Sequence, residues 1–246
     1  MQAFRSALFN LFMVTSAPVY ALASLFTVVL PFSWRYAFIS RWARMQIRAL
    51  KWFCRLDYRV EGREHIPGGA AIIMAKHQST WETFAFQAVF PPHVWVLKRE
   101  LMWVPFFGWA LSLLKPIAID RGSGKQAMAQ LVEQGRARLD AGLWVIVFPE
   151  GTRIPPGMRG RYRLGGAVLA AQTGYPVVPV AHNAGSYWPR RGFTKHPGTI
   201  DLVIGPVIPS KGRKPEAILD DVQDWIETTM QRLEGREGPA RLYRRS

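Results

Sequence analysis

At 246 residues and 49% hydrophobic content the chain is long enough to bury a full core, and its size suits one α/β domain better than two independent ones. It carries 32 Lys and Arg against 17 Asp and Glu, a net charge of +15, which calls for an anionic partner: nucleic acid, acidic lipid or a phosphorylated substrate. The single cysteine, Cys54, excludes an intrachain disulfide and a multi-cysteine zinc site, and it reads as a small apolar residue.

The N-terminal stretch narrows the partner. From Ser6 to Trp34 there is no formal charge, and the run is long enough to enter a bilayer. It imitates a secretory signal, with Arg5 before the apolar stretch and Ala-Leu-Ala at 21–23, but apolar residues continue past that point, so the segment is expected to be retained. Pro18 divides it into arms of about twelve residues, each about 18 Å as a helix, so a kinked or re-entrant segment and a straight span both fit. Next, Arg41, Arg44, Arg48, Lys51 and Arg55 fall within an arc of about 80° on a helical wheel, with Ala43, Ile47, Leu50 and Cys54 far round it. This predicts an amphipathic helix with a basic stripe, Trp42 and Trp52 serving as interfacial anchors against an anionic membrane. No nucleic-acid fold motif accompanies the charge, so nucleic acid is not expected as a partner. Residues 1–56 therefore read as a membrane-associated helical segment and 57–246 as the catalytic domain. The Lys and Arg that follow the apolar run, against Arg5 alone before it, put that domain on the cytoplasmic face.

Beyond residue 57, short apolar runs at 70–75, 94–97, 116–119, 143–148, 176–181 and 200–204 alternate with helical or loop segments. The clearest helix covers 123–142, ending at Gly142. The alternation predicts an α/β fold, a mixed and largely parallel sheet flanked by helices and preceded by the N-terminal membrane-associated segment. Ligands of such sheets bind beyond the carboxyl ends of the strands, so chemistry is sought just after the apolar runs.

Four places answer. After the run 70–75 stand His77 and Glu82, which would lie about 140° apart on an uninterrupted helix and can meet only across a turn. A helix starting near Ser79 or Thr80 supplies that turn, and Ser79-x-x-Glu82 also matches a capping box. A carboxylate on one imidazole nitrogen fixes the tautomer and leaves the other nitrogen to take a proton from an alcohol. No protein nucleophile accompanies the pair, so the attacking hydroxyl belongs to a substrate; no H-E-x-x-H or other metal-ligand spacing is present, and no metal or cofactor is expected. After 116–119 come Asp120 and Arg121, a surface ion pair or a phosphate ligand at the strand's mouth. After 143–148 come Glu150, Gly151, Thr152 and Arg153, either an isolated turn or an anion seat of glycine, hydroxyl and guanidinium. His182 follows the run 176–181 and reads as structural.

Taken in order, HQSTWE, VPFFGWALSLLKPIAIDR, FPEGTR and VVPVAHN resemble the four blocks of the glycerolipid acyltransferases, over about residues 58–210, nearest to the 1-acylglycerol-3-phosphate O-acyltransferases. The resemblance implies transfer of a fatty acyl group from acyl-CoA or acyl carrier protein to the sn-2 hydroxyl of lysophosphatidic acid. It makes His77 the base and Glu82 its carboxylate, and assigns Arg121, Glu150, Gly151, Thr152 and Arg153 to the glycerol phosphate. Two departures stand out: the family's usual carboxylate is aspartate, and Lys76 occupies a position where asparagine is common. The H-x4-E form also resembles the lipid A late acyltransferases, so a lipid A precursor or lyso-ornithine lipid is the alternative acceptor. A non-catalytic anionic-lipid binder, or a hydrolase releasing free fatty acid, is the alternative of another class.

Overall fold

A computed structural model of the chain describes residues 1–120, 122 and 124–243. In chain order the elements are α1 (Gln2–Leu25), a 3₁₀ turn (Phe26–Val29), α2 (Phe32–Ala49) running into a π-turn (Leu50–Cys54), β1 (Leu56–Glu61), β2 (Ile72–Ala75), α3 (Trp81–Val89), β3 (His93–Lys98), α4 (Phe107–Ser112), β4 (Ile117–Ile119), α5 (Gly124–Asp140), β5 (Trp144–Val147), β6 (Met158–Arg159), α6 (Gly165–Thr173), β7 (Val177–His182), α7 (Ala184–Tyr187), β8 (Gly198–Ile204), α8 (Pro215–Leu233) and β9 (Arg241–Leu242).

Seven strands form one sheet in the order β1-β8-β7-β2-β5-β3-β4, and β6 pairs with β9 in a separate ribbon. Every neighbour pair in the large sheet is parallel except β7 with β8. All six apolar runs became strands, because a parallel strand covered on both faces needs apolar side chains at every position. β2 and β5 are buried along their whole length. Their alternate residues feed two cores: Ile73, Ala75 and Ile146 pack with α2 and α3, while Ile72, Met74, Val145 and Val147 pack with α5, α6 and α8.

Two expectations about the N-terminus change. Pro18 does not divide the apolar segment: it sits inside one continuous 24-residue helix, about 36 Å long at 1.5 Å per residue. Trp42 is an internal packing residue, edge-on to Phe84 at 5.4 Å and donating through Nε1 to Ser16 Oγ at 3.1 Å, whereas Trp52 is 83% exposed. The basic stripe does face outward at Arg41, Arg48, Lys51 and Arg55, with Ala43, Ile47, Leu50 and Cys54 buried behind it. Unlike a helix on a water-soluble surface, α1 is apolar on its outward face as well as at Phe9 and Ala21 on its buried one. Ser6 and Ser24 are buried against the body, and Phe4, Leu11, Val14, Val19 and Leu22 project outward. α1 also lies along the body over its length: Lys195 N–H donates to Ser6 Oγ, Ser16 meets α2, and Ala17 to Ser24 border a 310 Å³ apolar cavity shared with α2 and α4.

Candidate active site

The site gathers where β2, β5 and β7, the three central strands, end on the same side of the sheet. His77 stands two residues beyond β2 and is held at both peptide groups. Its N–H donates to Glu150 Oε2 at 3.1 Å, and its carbonyl accepts from Ile154 N at 2.8 Å. The imidazole lies flat on Phe148, with ring centres 4.0 Å apart. Its Nδ1 faces Glu82 Oε1 at 3.3 Å; an ionised carboxylate only accepts, so Nδ1 carries the proton and Nε2 is left as an acceptor. The His77 side chain keeps 16% of its surface open, while Glu82 is fully buried.

The turn that lets residues 77 and 82 meet is the start of α3. Glu82 folds back over the first turn and accepts from the backbone N–H of Gln78 at 2.6 Å and of Ser79 at 2.9 and 3.0 Å. Ser79 Oγ in turn accepts from Trp81 N at 3.2 Å. Only half of the expected capping box forms: Glu82 reaches back to Ser79 N and partners His77 as well, but the helix's N-cap is Thr80 and Ser79 Oγ bonds Trp81 rather than residue 82. His182 closes the group: its Nδ1 accepts from Ala184 N at 3.3 Å, so its Nε2–H donates to Lys76 O at 2.9 Å and stands 3.3 Å from Glu82 Oε1. Burial alone would push the Glu82 carboxyl up, but the positive charge His77 carries whenever it is protonated, with the hydrogen bonds from His182 and His77, outweighs it and holds the group well below the usual carboxylate range.

The loop after β5 departs from the expectation of direct substrate contact at two positions. Glu150 is turned inward, its carboxylate shared among Lys76 Nζ at 2.9 Å, Gly160 N at 2.9 Å and His77 N. A buried Lys76 needs a counter-ion, and Glu150 supplies one. Gly151 commits its N–H to Phe148 O at 3.0 Å, and its φ of +66° is the conformation this turn requires. Thr152 and Arg153 are half-buried, and Arg153 Nε is enclosed without a hydrogen-bond partner among the described residues. Arg121 lies outside the described residues; its neighbour Asp120 accepts from Gly122 N at 2.9 Å. A 230 Å³ groove runs beside the loop, walled by Met128 and Leu131 and reaching Phe148, Gly151 and Arg163. Among the described residues no group of three or more His, Cys, Asp or Glu is placed to hold a metal ion.

Sequence reasoning passed over Phe148, the platform under His77, and took Lys76 only as a departure from a pattern. Their neighbours across the sheet were the missing information.

A histidine–carboxylate pair at the central strand exits, with no hydroxyl or thiol side chain bonded to the imidazole among the described residues, has the arrangement of a group-transfer enzyme that works by general-base chemistry. Residues 57–183 match the family model described as Acyltransferase, and the chain belongs to that family. Among curated proteins it is 49% identical to the 1-acyl-sn-glycerol-3-phosphate acyltransferase of Pseudomonas aeruginosa, over 93% of this chain and 91% of that protein. It is 28% identical to the human 1-acyl-sn-glycerol-3-phosphate acyltransferase alpha, over 79% of this chain and 72% of that one. Among solved structures, the 1-acyl-sn-glycerophosphate acyltransferase of Thermotoga maritima superposes with a TM-score of 0.79 at 25% identity, covering 97% of this chain and 100% of that chain. The protein is an acyltransferase, and the resemblance read from the four blocks is borne out.

Proposed function

We propose that the protein transfers a fatty acyl group from acyl-CoA or acyl carrier protein to the sn-2 hydroxyl of lysophosphatidic acid, forming phosphatidic acid for phospholipid biosynthesis. The observation that carries this reading is the 3.3 Å contact between His77 Nδ1 and Glu82, which leaves Nε2 as the acceptor that can serve as a base. Nε2 takes the hydroxyl proton as the oxygen attacks the thioester carbonyl, and Glu82 balances the imidazolium that forms. The C–S bond then breaks, the new ester C–O bond remains, and the proton passes to the leaving thiolate. Arg153, whose Nε is enclosed without a hydrogen-bond partner among the described residues, takes the acceptor's phosphate with Thr152 and Arg121, while Glu150 and Gly151 shape the loop that presents them. The acceptor is chosen on the name carried by the Pseudomonas relative.

The outward apolar stripe of α1 supports association with an anionic membrane, the catalytic domain on its cytoplasmic face and residues 1–56 serving as the membrane segment. Because α1 packs along the body, we read it as seated in one leaflet rather than crossing the bilayer. The test is purified protein in mixed micelles with lysophosphatidic acid and each thioester donor, following phosphatidic acid and free thiol together. Equal release of both is expected. Thiol and fatty acid released without acceptor would indicate a hydrolase, and lipid binding without thiol release a carrier.

A further inference from the structure

Lys76 and Gln78 flank His77; Lys76 reaches Glu227 on α8 and Gln78 reaches Glu234, the C-cap of that helix, both beyond the residues matched by the family model. Lys76 Nζ, 1% exposed, donates to Glu227 Oε1 at 2.9 Å as well as to Glu150 Oε1 at 2.9 Å and Met158 O at 3.2 Å, so all three of its protons are used. Tyr162 donates to the same Glu227 oxygen at 3.0 Å. Gln78 Nε2 donates to Glu234 Oε1 at 3.1 Å, and Glu234 Oε2 accepts from Gly157 N at 3.1 Å and from Arg236. Glu227 and the C-cap Glu234 are seven residues apart, about two helical turns, and so lie on nearly the same side of α8 and its end.

We propose that Glu227 and Glu234 are positioning residues, and that α8 sets the location of the base by holding the two residues on either side of it. The inference rests on His77 being the base. One side of the brace works through charge: Lys76 stands between two carboxylates and fixes the one that binds the His77 N–H. The other works through the Gln78 amide, whose oxygen also accepts from Gly185 N at 3.2 Å. Since the imidazole meets Glu82 at 3.3 Å and rests on Phe148, its aim depends on where the main chain carries it. A shift of about 1 Å in such a group costs about 10²-fold in rate.

Steady-state kinetics on the full-length protein in mixed micelles, with rates divided by the folded fraction, test this. Glu227→Gln and Glu234→Gln are each expected to lower kcat about tenfold and together about 10²-fold, with KM for both substrates unchanged within about twofold. Lys76→Met leaves two carboxylates facing one another, and adding Glu227→Gln to it should recover at least about fivefold in kcat. A merely structural brace would move Tm alone. Wild-type kcat per folded molecule in Glu227→Gln/Glu234→Gln overturns the proposal, and so does a loss confined to KM or a second substitution that rescues nothing. Should Lys76→Met fail to fold, the Glu227/Glu234 pair of variants decides. His77→Ala in the same assay separates the two readings: full activity there removes the base itself, whereas an inactive His77→Ala beside an unimpaired brace variant removes only this inference.

Discussion

Lys76 and Lys195 are both enclosed, at 1% and 2% exposure, but their surroundings are opposite in kind. Lys76 is met by two carboxylates and a carbonyl next to His77. Lys195 has no carboxylate partner among the described residues; it is held by Phe193 O and Asn10 Oδ1, with its ammonium 4.7 Å from the Trp188 ring centre and 5.6 Å from that of Phe9. Burial draws the Lys195 pKa down to about 8. The contrast separates two uses of a buried cation. At the candidate site the charges are compensated so that a loop and a helix are fixed around His77. Where α1 docks, the cation is only enclosed, and the contact is carried by aromatic packing and neutral oxygens.

The largest effect should come from breaking the compensated side. Lys76→Met leaves Glu150 and Glu227 buried with no cation between them, and removal of one partner of a buried ionic group costs about 3–5 kcal/mol. Denaturant or thermal unfolding in detergent measures it; a change below about 1 kcal/mol would mean the cluster is not a unit. His77→Ala comes next, with folding retained and turnover lower by about 10³, or about 4 kcal/mol in the barrier.

Glu82→Gln sharpens the same side through pH. The variant keeps the shape but not the anion, so turnover should fall about 10²-fold. Its stability carries a sign. Glu82 is held below its ordinary range, so its stabilising contribution is complete above the unfolded value of about 4.3 and is lost as pH falls toward the lower folded value. The gap in unfolding free energy between wild type and Glu82→Gln should therefore narrow as pH falls below about 4.3. A gap that widened as pH fell below about 4 would contradict the assignment of Glu82 as the buried anion.

How far these regions were legible beforehand follows from the range of the forces involved. β2 and β5 announced themselves because burial on two faces demands an unbroken apolar run. β1, at the sheet's edge with Asp57, Arg59 and Glu61 among its six residues, had no such run and was not foreseen. His77 and Glu82 are five residues apart, so a single turn brings them together and local reasoning found them. Glu227 meets Lys76 across 151 positions of sequence, a contact fixed by how α8 returns over the sheet rather than by any pattern near either residue. Glu150 illustrates the same limit. A carboxylate after a strand suggested substrate binding, and only the placement of the ammonium of Lys76 explains why it faces inward.

The smallest effect is expected at the uncompensated lysine, and it is the one that tests whether the contrast is general. Lys195→Met keeps a side chain of similar length among Phe9, Trp188 and Phe193 and removes a charge that has no opposite partner to leave behind. What it forfeits is a hydrogen bond to Asn10 and one to Phe193 O, each worth about 1 kcal/mol, and what it relieves is the cost of enclosing an ammonium group. These oppose one another, so unfolding free energy at neutral pH should move by less than about 1 kcal/mol. The pH dependence gives the sharper reading. Between about pH 8 and the unfolded value of about 10.4 the wild type gains stability as the unfolded chain alone retains the proton, and Lys195→Met should lack that rise. A variant that kept the rise, or lost as much as Lys76→Met, would show that enclosure alone makes a buried lysine indispensable in this protein.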